Sequence, residues 1–167
     1  WLDDATSAQH PYSSLVVPTL ANAIGVPHAT PIIGVVAPDK NLGQYQKLFE
    51  GKVTLLEDRN PLGKSDNFEK TEKNLLKDND NSYDAINFLK ARTLDLLMAD
   101  WDRHGDQWRF YNEHKKGDNK YYIAIPRDRD MVFNVTEGLI PTILKRLMVM
   151  PRVYGFNNTN VLGGTNN

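Results

Sequence analysis

The chain has no cysteine. That excludes a disulfide scaffold and thiolate zinc sites. It has no excess of one charge: Lys+Arg is 20 and Asp+Glu is 21. A net charge of −1 excludes the strong basic footprint of a general nucleic-acid binder. No apolar run approaches the ~18 residues of a membrane span; the longest, Pro31–Pro38, is strand-sized. No internal repeat occurs. A Walker loop, a G-x-G-x-x-G turn and an H-E-x-x-H helix are all missing. What remains is an ordinary globular composition, 40% apolar and 25% charged over 167 residues. That is about one domain with a real core. The chain begins at Trp1 with neither an initiator Met nor a signal-peptide pattern, and reads as a piece of a longer polypeptide.

Tyr12, Leu15, Val16, Leu20, Ala23 and Ile24 recur at helical spacing, and Gly25 is a stop signal. Pro18 inside that run predicts a kink or a split. Residues 31–37 are β-branched and short, which predicts a buried strand, and residues 52–57 predict a second strand. The stretch 57–81 holds seven acids, five bases and five asparagines, and reads as a charged surface insertion. Asp84 is a good N-cap for a helix running to about Ala99. Ile86, Leu89, Leu94, Leu97 and Trp101 form its expected core stripe, widened by Phe88, Leu96 and Met98. Residues 108–111 and 121–125 predict a β-hairpin. Residues 139–150 predict a last helix. Residues 155–167, rich in Gly, Asn and Thr, predict a tail or linker. The expected organisation is one α+β domain over 1–154 followed by that tail.

The chemistry concentrates between Asp100 and Phe133. Asp100, Asp102 and Asp106 precede the hairpin, and Asp128 and Asp130 follow it. The hairpin brings the two clusters' ends together. Carboxylates that converge repel one another and call for a cation or a raised pKa. Hard oxygen ligands of this kind suit Mg²⁺ or Mn²⁺, with substrate phosphates completing the shell. The same letters also fit an internal ion-pair network, since Arg103, Arg109, Arg127 and Arg129 nearly match the acids one for one. An EF-hand starting at Asp100 fails, because its twelfth position is Tyr111 and not a bidentate Glu.

A helix, then Asp102-Arg103-His104 with Gln107 after it, then a hairpin, then Asp128 at a strand end resembles the catalytic lobe of atypical protein-kinase-like enzymes. The CotH-type, HipA-type and secretory casein-kinase-type families share this layout. The resemblance implies that Asp102, Arg103 and His104 form the catalytic-loop triplet, with Asp102 orienting the acceptor hydroxyl. It implies that Gln107 stands where the metal-binding Asn would, that Asp128 matches the metal-binding Asp, and that Asp130 is the second candidate for that role. Phe133 fits the apolar position that follows. The implied cofactors are ATP with Mg²⁺ or Mn²⁺. The implied fold is the C-terminal lobe with a partial N-terminal lobe.

The segments 11–26, 49–59 and 100–133 together also resemble a region of large envelope proteins of Bacteroidetes-type bacteria. Those proteins combine a metallophosphoesterase domain with an outer-membrane-assembly-type β-barrel. The resemblance implies a cell-envelope location, periplasmic or outer-membrane-associated. The implied partners are other domains of a longer parent chain and outer-membrane proteins, with no nucleic acid and no membrane span in this segment. Two features depart from a working kinase. There is no glycine-rich phosphate loop, and no strand lysine pairs clearly with a helix glutamate, Lys52 being the nearest candidate. The expectation is therefore a pseudokinase module that binds or scaffolds; the alternative is an active phosphotransferase that moves a nucleotide phosphate to a hydroxyl.

Overall fold

The computed structural model describes residues 12–100, 103–113 and 119–133. The expected helix over 139–150, the tail from 155, Trp101 and Asp102 lie outside these described residues. So does the whole of the 134–154 end of the expected domain.

The chain enters through α1, Ser13–Ile24. Gly25 ends it in the left-handed conformation, φ 71°, where a side chain would be strained. Pro18 does not split the helix, which runs unbroken for 12 residues; the missing N–H removes one helical bond. Two short strands follow, β1 (Ile32–Val35) and β2 (Val53–Leu56), with a 3₁₀ turn and the four-residue α2 (Gln46–Phe49) between them. β1 and β2 pair antiparallel as a separate two-stranded ribbon, Ile32 opposite Leu56 and Val35 opposite Val53. The sequence predicts a buried strand here. Instead Ile32, Val35 and Val53 are 64%, 65% and 72% exposed. A ribbon of two strands cannot cover its own faces, and nothing among the described residues covers them.

The second sheet has four strands in the order β3-β5-β6-β4. These are β3 (Ser65–Asn67), β4 (Ser82–Tyr83), β5 (Trp108–Asn112) and β6 (Tyr121–Pro126). The expected hairpin is β5–β6, antiparallel, with Trp108 opposite Pro126 and Asn112 opposite Tyr122. The edge strand β3 pairs antiparallel with β5, and β4 pairs parallel with β6.

The charged stretch 57–81, expected as a charged surface insertion, is exposed over most of its length and supplies β3 and the helix α3, Phe68–Lys77. Asn67 caps α3 by accepting the Lys70 N–H at 3.0 Å. Its polar side chains do the docking. The Asn74 amide donates to the Tyr122 hydroxyl at 2.7 Å, and that hydroxyl donates to Asp66 at 3.2 Å. The Phe68 ring meets Phe110 with centroids 6.2 Å apart.

The helix α4, Ala85–Leu97, lies across the sheet. Asp84 accepts the Asn87 N–H at 2.9 Å, as an N-cap should. The face it buries differs from the expected stripe. Asn87, Ala91, Leu94 and Asp95 point inward, while Ile86, Leu89 and Leu97 are 70%, 66% and 67% exposed. Of Ile86, Leu89, Leu94 and Leu97 only Leu94 is in the core; of the residues expected to widen the stripe, Met98 is in the core and Phe88 packs against it. The helix is apolar on two sides, so hydrophobic spacing alone does not decide its rotation. The buried Asn87 amide donating to the Ala124 carbonyl at 3.0 Å locks the rotation that is seen. The core joins Val17 and Ala21 of α1, Ala91, Leu94 and Met98 near α4, and Trp108, Phe110, Tyr122 and Ala124 of the sheet. No helix among the described residues is long and apolar enough to cross a membrane.

Candidate functional site

The loop after α4 and the strand end after β6 meet as the hairpin requires. The Arg127 N–H donates to the Gln107 carbonyl at 2.9 Å, and the Phe133 N–H donates to the Met98 carbonyl at 2.8 Å. The segments that carry the two acidic clusters are therefore sewn together by their backbones.

Arg103, the middle residue of the triplet, is the clasp. Its side chain is 1% exposed. Its Nε donates to Asp95 Oδ2 at 3.1 Å, Nη2 contacts Asp100 Oδ2, and Nη1 donates to the Arg127 carbonyl. The guanidinium also lies 5.6 Å from the Trp108 ring centroid, a cation–π distance. One side chain thus ties α4, the triplet loop, and the strand end that leads to Asp128.

Asp95 is the hub of the cluster, and sequence reasoning missed it. Beside Arg103 it accepts from Arg129 Nη2 at 2.8 Å and from Arg92 Nη1 at 3.0 Å. It sits on the inward face of α4 at 1% exposure. The one signal was an acid set inside the apolar run Leu94-Asp95-Leu96-Leu97. A buried carboxylate there calls for cations to face it.

Glu57 is the second residue missed. It stands just beyond β2, and its Oε2 accepts the Asp128 N–H at 3.3 Å across 71 residues of chain. Burial pushes the Glu57 carboxyl above its usual range, against the pull of the Asp128 N–H and of Arg127. Arg92, Arg103 and Arg129 thus meet Asp95 and Asp100, and Glu57 adds a further carboxylate that Arg127 and Arg103 favour in its charged form.

The other candidates take different places. Asp102 lies outside the described residues. His104 is exposed and opens the 3₁₀ turn Gly105–Gln107. Asp106 is exposed. Gln107 is 4% exposed. Among the described residues its Oε1 has no hydrogen-bond partner, nor has Asp100 Oδ1, Arg127 Nε, or Nε and Nη1 of Arg129. Donors and acceptors occur together in that set, and bridging water suits such a mixture. Asp128 is exposed and in the left-handed conformation, φ 55°, which Asp tolerates better than most residues. Asp130 is exposed, and its backbone carbonyl accepts from the Ser13 hydroxyl at 3.3 Å. Gln107 Oε1 and the Asp128 carboxylate are oxygen donors of the type Mg²⁺ or Mn²⁺ takes. Among the described residues no group of three or more His, Asp or Glu side chains is placed to hold a metal ion.

Burial and charge also set a pH dependence. Burial raises the Asp100 carboxyl to about 6, outweighing the lowering effect of Arg103, while nearby Asp95 raises it further. An ordinary aspartate titrates near 3.8. The folded state therefore holds the Asp100 proton more tightly than the unfolded chain does. The stabilising contribution is full below about pH 4, shrinks as the pH rises, and is gone above about pH 6. Two pH units correspond to roughly 3 kcal/mol. Urea unfolding of wild type and Asp100→Asn at pH 4 to 7 checks this. The wild type should lose stability relative to the variant across that interval; a constant difference would contradict it.

No family model, no curated protein and no solved structure matches the chain.

Proposed function

We propose that the chain is a kinase-like module of a larger bacterial outer-membrane or envelope assembly protein, and that it binds or scaffolds rather than catalyses. One observation carries the non-catalytic part. Asp95 and Asp100 are turned onto Arg103 and Arg129 inside the protein. These two buried acids hold the loop and the strand end together as an internal ion-pair network does, a structural task rather than a chemical one. The missing glycine-rich loop supports the same reading. The kinase-like character, the envelope location, and the partners — other domains of a parent chain, and outer-membrane proteins — rest on the resemblance of segments 11–26, 49–59 and 100–133.

A second reading draws on Gln107. Its buried, unpartnered Oε1 is an unused oxygen donor close in the chain to the triplet. In that reading the chain is a metal-dependent phosphotransferase. Asp102 orients the acceptor hydroxyl, and Gln107, Asp128 and Asp130 hold Mg²⁺ or Mn²⁺ beside ATP.

A thermal-shift titration with Mg²⁺ or Mn²⁺, with and without ATP, separates the two. Asp128→Asn is the control of choice, because Asn keeps the left-handed backbone that Ala would strain. A ligand at 100 times its Kd stabilises by about 2.7 kcal/mol, or roughly 5–10 °C for a chain this size. The scaffolding module gives no metal-dependent ATP shift in either protein. A shift in wild type that Asp128→Asn abolishes places a metal–nucleotide site at Asp128 and favours the phosphotransferase reading, which transfer of phosphate from ATP to a hydroxyl acceptor then tests.

A further inference from the structure

Among the described residues the β1–β2 ribbon pairs with no further strand, and its two edges are unlike. β1 is bracketed by Pro31 and Pro38 and has Gly34 in its middle. Prolines beside a strand guard an edge against pairing. β2 has neither Pro nor Gly. It reads Lys52-Val53-Thr54-Leu55-Leu56-Glu57-Asp58, apolar and β-branched in the centre, basic at one end and acidic at the other.

The backbone shows which groups that edge presents. The Val36 N–H donates to the Lys52 carbonyl at 3.0 Å. In an antiparallel ladder successive residues alternate sides. The Lys52 carbonyl and the peptide groups of Thr54 and Leu56 therefore turn toward β1, and those of Val53 and Leu55 turn to the open edge. All four residues of β2 are exposed. Around them Ile32, Val35 and Phe49 are 64%, 65% and 46% exposed.

The geometry points to a second copy of this chain as the occupant of that edge, its β2 antiparallel to the first across a two-fold axis. The strand is complementary to itself. With Leu55 facing Leu55 of the second copy, Lys52 of each copy falls opposite Asp58 of the other. The two ribbons become one four-stranded sheet, in the order β1-β2-β2-β1. An isologous contact of this kind closes and leaves only the proline-guarded edges outside. Pairing at this edge satisfies the outward peptide groups of Val53 and Leu55 in both copies and sets the Lys52–Asp58 charges against each other twice; the faces of the sheet stay as they are.

Sedimentation velocity of the 167-residue chain, run as a concentration series, tests this. The expected result is a monomer–dimer equilibrium. Val53→Pro removes an outward N–H without touching the β1–β2 bonds, and should weaken the dimer by about tenfold or more. Lys52→Glu sets acid against acid twice by symmetry and should weaken it by about tenfold. Adding Asp58→Lys to Lys52→Glu should restore it. Lys52 is exposed, so the charge swap reads out pairing without disturbing the fold. A chain that stays monomeric throughout, or a dimer indifferent to these substitutions, overturns the proposal.

Discussion

Asp95→Asn should be the most damaging conservative substitution in this protein, lowering its stability by about 3–5 kcal/mol. The shape of the side chain barely changes, so packing is not the cause. The charge is. Arg103 and Arg129 have side chains 1% and 4% exposed, and both face Asp95, with Arg92 as a third partner. Without the carboxylate those guanidiniums are left in the interior with Asp100 as their nearest remaining counter-charge. Removing one partner of a buried ion pair is expensive even where the intact pair adds little over a hydrophobic replacement. For a chain of this length the loss corresponds to a melting point lower by roughly 6–20 °C. Urea and thermal unfolding check it. A change under about 1 kcal/mol, the range of an exposed pair, would mean the cluster is hydrated and not the anchor described above.

Phe110→Ala should cost about 3–5 kcal/mol, the range for deleting a buried aromatic side chain. Phe110 is 6% exposed. Its ring meets Trp108 at 6.4 Å, Tyr122 at 6.5 Å and Phe68 at 6.2 Å between centroids. It is where the sheet, the aromatic core and α3 join. The substitution should therefore do more than lower the midpoint. Amide exchange in α3 should rise ahead of exchange in α4, because α3 docks through Phe68 and a few polar contacts. Equal exchange in the two helices would show that α3 is held by something else.

Some of this was legible in the sequence and some was not, and the division has a physical basis. Asp84 and the long periodic run placed α4, because capping and helical spacing are local. The aromatic runs on either side of a polar turn placed the β5–β6 hairpin for the same reason. The rotation of α4 was not legible. Its large apolar residues surround the helix, and the inward face is chosen by Ala91, Asn87 and Asp95, whose partners lie on Ala124 and the arginines. The charged stretch 57–81 concealed β3 and α3 because their docking is polar, through Asn74, Asp66 and Ser65. Hydropathy is silent on such contacts. The segment 100–133 was legible as the place where chemistry or ion pairing concentrates. Which acids the arginines take was not. Asp95 and Glu57 come from outside that segment, and only the tertiary fold brings them to it.

The central claim is that Asp95 and Arg103 act as one unit that fixes the triplet loop against the strand end. A double-mutant cycle tests it most directly: wild type, Asp95→Asn, Arg103→Met and the double variant, each unfolded in urea at pH 7. The account predicts a coupling of about 2–3 kcal/mol, with the double variant well short of the sum of the two single losses. Additive losses, with coupling under about 0.5 kcal/mol, would contradict it.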